Sequence, residues 1–398
     1  MKKTWVNIQD VLFFQEGPGV RNTQYTTEGV KLLNVANLVD GKVDLSTSDR
    51  YISEEEAYGK YKHFLCNEGD FVIASSGIKV EYIDKKMGFI DKSMLPLCMN
   101  TSTIRFRVLD ENQLRIRYFM YYLKSQHFKG QLFRYITGSA QLNYGPSHLK
   151  KMVMPLIDLV KQDEIIACMD KIQSIIEMRQ QELDELDNLV KARFVEMFGD
   201  PVINEKEWVT KPLLDMGICK NGMNFHYNDC GVEINCLGVG DFKNLSVIDN
   251  TEQLSTVLLN EMPSEEYLLK DDDIVFVRSN GNKALVGRSV AVYPGDIPIT
   301  FSGFCIRYRK QDDAVTIPYL LRVLKTDSIR RKMAGRGANI QNLNQQILGN
   351  LIIPVPPIEL QNQFSDFVKR IDKSKVAIKK SLDETQILFD SLMQKYFG

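Results

Sequence analysis

Chemistry-bearing residues are scarce in this chain: 398 residues hold two tryptophans, four histidines and seven cysteines. The histidines, His63, His127, His148 and His226, are scattered without the H-E-x-x-H spacing of a helix-borne zinc site, and each reads as a surface or packed side chain. An odd cysteine count without C-x-x-C spacing excludes a disulfide framework and a zinc ribbon. Cys230 and Cys236, with five residues between them, read as reduced. There is no G-x-x-x-x-G-K-S/T, so no P-loop, and Gly238-Val239-Gly240 continues Asp-Phe-Lys, which fails the dinucleotide fingerprint. No G-x-S-x-G elbow occurs either. The Asn/Asp-Pro-Pro-aromatic sequence of amino-methyltransferases is missing, and Val355-Pro356-Pro357-Ile358 only resembles it superficially. Asp271-Asp272-Asp273 precedes a strand-like run and reads as a solvated turn. The sequence offers no catalytic residues and no metal ligands.

Long apolar runs are absent as well. No stretch approaches the roughly 18 residues of a transmembrane helix. Lys2-Lys3 precedes a stretch broken by Asn7, Gln9 and Asp10 without a small-residue cleavage site, so no signal peptide is read and the chain is expected in the cytoplasm, without a membrane partner. Net charge is only −1, a poor sign of strong nucleic-acid binding by the chain alone. The charge is unevenly spread: residues 1–155 carry a net +5, 156–199 a net −5, 200–356 a net −2 and 357–398 a net +1.

What is present is a duplication. Trp5-Val6 recurs as Trp208-Val209, and Asp70-Phe71-Val72-Ile73 matches Asp273-Ile274-Val275-Phe276, both at an offset of 203. Ile104-Arg105-Phe106-Arg107 recurs as Ile306-Arg307-Tyr308-Arg309 at 202, and Tyr118 and Leu142-Asn143 match Tyr319 and Leu343-Asn344 at 201. From Pro155/Pro354 the offset is 199, through Gln162/Gln361 and Leu183-Asp184-Glu185/Leu382-Asp383-Glu384 to Phe198-Gly199/Phe397-Gly398. A steady drift of this kind needs only a few short deletions. A protein with two such modules is suited to a target that is itself bipartite.

Each copy holds about 155 residues of short mixed elements followed by one long helix. Strand-like runs, Tyr82–Ile90, Ser102–Val108, Asp273–Arg278, Ser289–Val292 and Cys305–Arg309, are separated by Gly, Asn, Asp and Pro, and helical stretches follow at about 112–133 and 316–333. The class is α+β. In the long helices, positions spaced 4,3,4,3 are Ile165, Met169, Ile172, Ile176, Arg179, Leu183, Leu186, Val190, Arg193 and Met197, with Phe364, Val368, Ile371, Lys375, Ile378, Leu382, Thr385, Phe389, Leu392 and Tyr396 in the second copy. That is a heptad seam with polar breaks. Prolines stand before both helices, and Gly199 and Gly398 after them. A narrow seam on a helix of roughly 50 Å favours pairing of the two helices over packing of each onto its own globular half, and connectivity then requires them to run antiparallel. The expected plan is therefore two repeated globular α+β domains, 1–155 and 200–357, joined by long helices in 156–199 and 358–398 that form an antiparallel coiled coil with pseudo-two-fold symmetry. Arg179, Arg193, Lys375 and Thr385 on the seam either set register or face a third helix from a partner.

Polar, glycine-rich loops recur at equivalent places. The first is Gly17 to Thr23 with Arg21 and Asn22, matched by Lys220 to Asn224 with Asn221 and Asn224. The second holds Ser75, Ser76, Gly77 and Lys79, matched by Arg278, Ser279, Asn280, Gly281, Asn282 and Lys283. The third holds Arg134, Thr137, Gly138, Ser139, Gln141 and Asn143, matched by Arg336, Asn339, Gln341, Asn342 and Asn344. Arg, Lys, Asn, Gln and Ser are the side chains that read base edges and hold phosphates, and glycine admits close backbone approach. Three polar loops kept in register in both copies, with divergent tips, suit two readers of different sequences.

With these features the chain resembles the specificity subunit of type I restriction–modification systems, over its whole length. The resemblance rests on the duplicated plan, the strand-then-loop segments 69–77 and 272–281, the Gly-Ser-Ala-Gln-Leu-Asn loop at 138–143, and the entries to the long helices. There Pro-Leu-Ile-Asp-Leu-Val-Lys-Gln and Pro-Val-Pro-Pro-Ile-Glu-Leu-Gln stand. Family members resemble Pro-Leu/Pro-x-x-Glu-Gln at this point, whereas this chain has Lys161-Gln162 and Leu360-Gln361. The resemblance implies a non-catalytic subunit whose two domains each read half of a split double-stranded DNA target, with the coiled coil as ruler and docking site. It implies two methyltransferase subunits carrying S-adenosylmethionine for adenine methylation, and restriction subunits that use ATP and Mg. No cofactor is expected in this chain. Two other classes compete: a dumbbell scaffold for protein partners without DNA contact, and a self-contained DNA-modifying enzyme with an unrecognised site.

Overall fold

A computed structural model describes residues 3–136, 144–225, 231–242, 245–334 and 342–398. The chain divides into two compact units, Met1–Gln180 with Lys380–Gly398, and Gln181–Lys379.

The first unit is built on an antiparallel sheet in the order Leu12–Glu16, Thr103–Val108, Phe71–Ala74, Met87–Phe89. Phe71-Val72-Ile73-Ala74 lacks polar alternation because both its faces are covered: Phe71 and Ile73 enter one core with Ile104, Phe106, Phe119 and Phe128, while Val72 and Ala74 enter another with Leu33, Leu38 and Met99. A second small sheet places Val30–Leu33 antiparallel to Tyr51–Ile52 and parallel to Leu97–Met99. The second unit repeats this order. Gly217–Asn221, Cys305–Lys310, Asp273–Val277 and Ser289–Val292 form the main sheet, to which Val247–Ile248 is added in parallel. Val232–Leu237 pairs with Thr256–Leu259 and Ile299–Phe301 as the small sheet. Ile274 and Phe276 face one core, Val275 and Val277 the other.

In both units the strand carrying the repeated arginines alternates. Ile104 and Phe106, or Ile306 and Tyr308, point into the helix-side core, and the arginines point the opposite way. Arg107 clamps Asp70 through Nε and Nη2, and Arg309 holds Asp273 at 2.7 and 2.6 Å. Asp273 is fully buried, which overturns its assignment to a solvated turn: only Asp271 is exposed. The run Tyr82–Ile90 is also not one strand, since Val80–Lys85 is a 3-10 helix and the strand is Met87–Phe89. Each helical stretch is two helices, Ile116–Lys124 with Gln126–Tyr135, and Ile317–Leu324 with Asp327–Ala334. The first pair breaks at Ser125, whose hydroxyl caps the amide of Phe128.

Two-stranded pairs, Thr4–Asn7 with Val153–Leu156 and Thr210–Pro212 with Ile352–Pro354, close the globular parts where the chain enters and leaves. The long helices, Leu159–Phe198 and Ile358–Phe397, start just beyond. A buried glutamine ties each start down. Gln162 accepts from the Arg115 amide at 2.8 Å and donates to the Gln113 and Ile157 carbonyls, both at 2.8 Å. Gln361 accepts from the Thr316 amide at 2.8 Å and donates to the Ala314 and Pro356 carbonyls, both at 2.9 Å.

Within each unit the two helical segments run antiparallel. In the second, Asp187 bonds Lys375, and Phe194 and Phe198 pack on Phe364 with ring centroids at 5.6 and 5.5 Å. In the first, Tyr396 faces Cys168, and Gln386 shares a cleft with Gln173. The seam has two parts. Ile165, Met169, Ile172 and Phe389 join the first unit's main core and Phe364 the second's, whereas Ile176, Leu183, Leu186, Val190, Val368, Ile371, Ile378, Leu382 and Leu392 are half-buried. The helix ends therefore do pack on globular parts. Phe397 lies 5.2 Å from Tyr118, and Phe198 4.7 Å from Tyr319. The two tryptophans have diverged: Trp208 donates to the Phe198 carbonyl, while Trp5 lies on the His127 ring at 4.5 Å.

Candidate nucleic-acid interface

The strand register brings the loops together. Because Leu12–Glu16 and Phe71–Ala74 both run antiparallel to Thr103–Val108, the loops after Glu16 and after Ala74 leave the same end of the sheet, beside the turn at 100–102. Main-chain bonds tie them: Gly17 N donates to Thr103 O at 2.8 Å, Ser75 N to Ser102 O at 2.8 Å, and Tyr144 N to Ser75 O at 3.0 Å. Tyr144, buried, also donates its hydroxyl to Ala74 O at 2.9 Å. The second unit uses the same bonds, with Leu343 in the place of Tyr144, so that the offset here is already 199 and not the 201 that pairs Leu343 with Leu142. Gly222 N donates to Cys305 O, Arg278 N to Phe304 O and Leu343 N to Arg278 O. The third loop thus returns to the second loop in both units.

Toward the other end of the same strands lie the arginine clamps. The carboxylate of Asp70 holds Arg107 firmly protonated, and burial pulls Arg105 and Arg307 down from their ordinary values. Arg105 donates to the Leu65 and His63 carbonyls, and Arg307 to the Glu266 carbonyl at 3.0 Å, so these guanidiniums fix loops from inside. Burial also raises the Cys66, Cys98, Cys219 and Cys236 thiols to about 12, leaving no thiolate at neutral pH. No group of metal-ligating side chains occurs among the described residues, and no helix there is long and apolar enough to cross a membrane.

The expected contact residues separate into distinct settings. Arg21 and Asn22 are exposed at the first loop, Lys79 at the second, and Arg134 in the last turn of Gln126–Tyr135. Ser76 is half-buried. Ser75 is 1% exposed and gives its hydroxyl to Glu16 Oε1 at 3.1 Å, so it supports the edge and cannot itself reach a ligand. In the second unit Asn224, Asn282, Lys283 and Asn342 are exposed, and Asn221, Arg278, Ser279 and Asn280 half-buried. Arg278 donates Nη1 to Gly303 O at 3.2 Å, which props the guanidinium across the edge. Asn221 sits at the position equivalent to Glu16, and its buried Oδ1 has no protein partner. Asn280 and Asn282 spend their Oδ1 atoms on the amides of Asn282 and Ala284, shaping the loop. Thr137, Ser139, Gln141, Asn143, Arg336, Asn339 and Gln341 lie outside the described residues.

Two of the loop glycines, Gly17 and Gly222, pack against the protein itself, while Gly77 and Gly281 have open space around them. A Cβ on Gly17 would stand 2.0 Å from Asn100 O, and one on Gly222 2.1 Å from Ser302 O. Their close approach is to the protein's own turn. Sequence reasoning also passed over exposed aromatics at this edge: Phe304, 61% exposed, in the turn beside Arg278, and Phe133, 72% exposed, on the helix leading into 137–143. Polar-loop patterns give no signal for them. Only the positions next to the loops mark them out.

The comparisons agree with this geometry. The model of the type I restriction modification DNA specificity domain matches residues 19–188 and 205–386. A specificity subunit of the StySPI type I restriction enzyme from Salmonella potsdam is 24% identical over 297 residues, 70% of this chain, and the chain spans 63% of that relative's length. The crystal structure of a type I restriction–modification S subunit from M. genitalium aligns over 100% of this chain and 96% of its own, with a TM-score of 0.55 at 17% identity. A structure described as the basis of complex assembly and conformational transition of a type I system aligns over 99% and 97%, with a TM-score of 0.58 at 14% identity. At these identities the structures speak for the fold. The match of the domain model to both copies settles the family: this chain belongs to the type I restriction modification DNA specificity domain family and carries that domain twice.

Proposed function

We propose that this chain is the DNA specificity subunit of a type I restriction–modification complex, each unit reading one half of a bipartite target through the loops at its sheet edge. The observation that carries this is the repeated edge: the same main-chain bonds hold loops of different side chains in both units. Among the described residues of the first unit, Arg21, Asn22, Ser76, Lys79 and Arg134 are available donors. In the second they are Asn221, Asn224, Arg278, Ser279, Asn282, Lys283 and Asn342. Arginine pairs bidentately with guanine and asparagine with adenine in the major groove, and lysine holds phosphate. The chain itself contributes no catalytic group. Methyl transfer to adenine with S-adenosylmethionine, and ATP- and Mg-dependent cleavage, belong to methyltransferase and restriction subunits docked on it in the cytoplasm.

Sequencing of adenine methylation in source cells with and without this chain tests the reading. Loss of methylation at one split motif on deletion is the expected result. An unchanged methylome in cells whose methyltransferase is demonstrably active refutes it. The Arg278→Ala chain should relax one half-site only, by about 1–3 kcal/mol for a lost bidentate contact, and equal loss at both half-sites refutes the assignment of that residue.

A further inference from the structure

The second unit contains a cleft of about 490 Å³ between the start of Ser289–Val292, the helix Ile317–Leu324 and Lys191 of the first long helix. Its walls carry Lys191, Arg288, Arg322, Lys325 and Arg330, and no Asp or Glu among the described residues lines it. Residues 200–356 are net negative, so the cluster does not follow from composition. Burial depresses Arg322, Lys325 and Arg330, and neighbouring cations add to this: Arg322 acts on Lys325, and Arg288 on Arg330. The acids within reach lie outside the cleft. Asp187 and Asp327 bear on Arg322, Asp327 on Arg330, and Asp187 and Asp372 on Lys325, whose Nζ also donates to Ser246 Oγ at 2.7 Å; Asp187 is already bonded to Lys375. The hydroxyl of Ser289, a residue 3% exposed in the cleft wall, has no partner, and neither does Arg322 Nε.

The repeat supplies an internal control. Lys124 and Lys129 stand where Lys325 and Arg330 do, at the offset of 201, but Tyr121 replaces Arg322, and Asp390 replaces Lys191 at the offset of 199. In the first unit Lys129 is bonded to Asp84 at 3.1 Å, and Asp84 and Asp390 both line the cleft that holds Lys124. One copy places acids in the wall of this cleft, and in the other the described lining holds cations and no Asp or Glu. Guanidinium and ammonium groups donate and cannot accept, so a ligand suited to this cleft must offer acceptors and negative charge on several sides. A phosphate does so.

We infer that this cleft binds a phosphate group, carried either by a nucleic-acid backbone or by a free phosphorylated molecule. The inference rests on the cleft alone and does not require the sheet-edge loops to read DNA. Titration calorimetry of the full chain with inorganic phosphate and pyrophosphate tests it without DNA. Binding of the parent should weaken at least tenfold in Lys325→Gln and in Arg330→Gln, and stay unchanged in Lys124→Gln. Removing one of several mutually repelling cations relieves strain, so both variants should unfold at no lower temperature than the parent. Ser289→Ala, which leaves the charge alone, should weaken binding about fivefold by loss of one hydrogen bond. Absence of binding at millimolar pyrophosphate, or equal loss in Lys124→Gln, overturns the inference. A duplex titration then identifies the source. A fall of about 1 in the salt slope in Arg330→Gln marks the nucleic-acid backbone, and an unchanged slope alongside lost pyrophosphate binding marks a free phosphorylated molecule.

Discussion

Replacing Gln361 by leucine should cost the second unit far more than a change of one neutral side chain suggests. Gln361 is fully buried and makes three hydrogen bonds, from the Thr316 amide and to the Ala314 and Pro356 carbonyls, at 2.8, 2.9 and 2.9 Å. Leucine fills a similar volume and leaves one amide and two carbonyls unpaired. At about 1–3 kcal/mol for each buried polar group left unsatisfied, and with about 1–2 kcal/mol returned by the added apolar surface, the net loss falls within about 1–8 kcal/mol, with a central value of about 4–5 kcal/mol. The assay can be confined to this unit, because Trp208 is its only tryptophan. In a Trp5→Phe background, urea unfolding followed by tryptophan fluorescence reports on residues 181–379. A loss below about 1 kcal/mol refutes the claim that this side chain locks the helix start to the domain.

The Gln361→Glu chain separates shape from bonding. A carboxylate there still accepts from the Thr316 amide but faces two carbonyls it cannot serve, so folding raises its pKa above the unfolded value of about 4.3. A group of that kind supports folding in its protonated form, below the unfolded pKa, and the support is lost as pH rises through the folded pKa. The deficit of Gln361→Glu should therefore be largest at neutral pH and shrink on acidification. A deficit independent of pH would mean that the side chain is not enclosed.

Further outcomes are open to direct measurement. Asp273→Ala leaves the Arg309 guanidinium without its carboxylate, and a loss of about 3 kcal/mol is expected in the same urea assay, the low end for a broken buried pair because Arg309 is partly exposed. A loss under about 1 kcal/mol would show that the clamp is idle. Lys325 is depressed by burial from 10.5 to about 8, so between about pH 8 and 10.5 the unfolded chain binds the extra proton and stability should rise with pH. Subtracting the same profile for Lys325→Met isolates this rise, and a difference that is flat or falls with pH contradicts it. Gly17→Ala should destabilise the first unit by about 1–3 kcal/mol, because its methyl meets Asn100 O at 2.0 Å. Gly19→Ala, with nothing within 4 Å, should change stability by less than about 0.5 kcal/mol, and equal effects at the two sites would refute the close-approach reading.

The repeat made much of this fold legible, but pairwise chemistry within it was harder to see. Asp70 and Arg107 recur as Asp273 and Arg309, yet from sequence alone the aspartate looks like one of three in a turn. Only the antiparallel register that sets Phe71 beside Phe106 brings the carboxylate to the arginine. The strands Phe71–Ala74 and Asp273–Val277 hid their period because two cores cover them. The heptad spacing located the long helices and missed their ends. There the buried set widens to Phe194 and Phe198, and to Met393 and Phe397, because the helix end meets a globular surface as well as the other helix. Gln162 and Gln361 stood out as a repeated pair, but their three-bond latch depends on carbonyls nearly fifty residues away.

The sheet edge was legible as a place and not as a set of side chains, and the reason bears on how such a domain can vary. Its loops are held by main-chain bonds: Gly17 to Thr103, Ser75 to Ser102, Gly222 to Cys305 and Arg278 to Phe304. Bonds of this kind do not depend on which side chain sits at the tip. Serine at 75 and arginine at 278 occupy one position with the same backbone partner, yet one turns inward to Glu16 and the other spans the edge to Gly303. A scaffold that fixes its loops through the main chain leaves their side chains free to change with little cost to folding. A protein whose two copies must recognise different things needs that freedom, and it also explains why residue type at a tip predicts poorly which way the side chain turns.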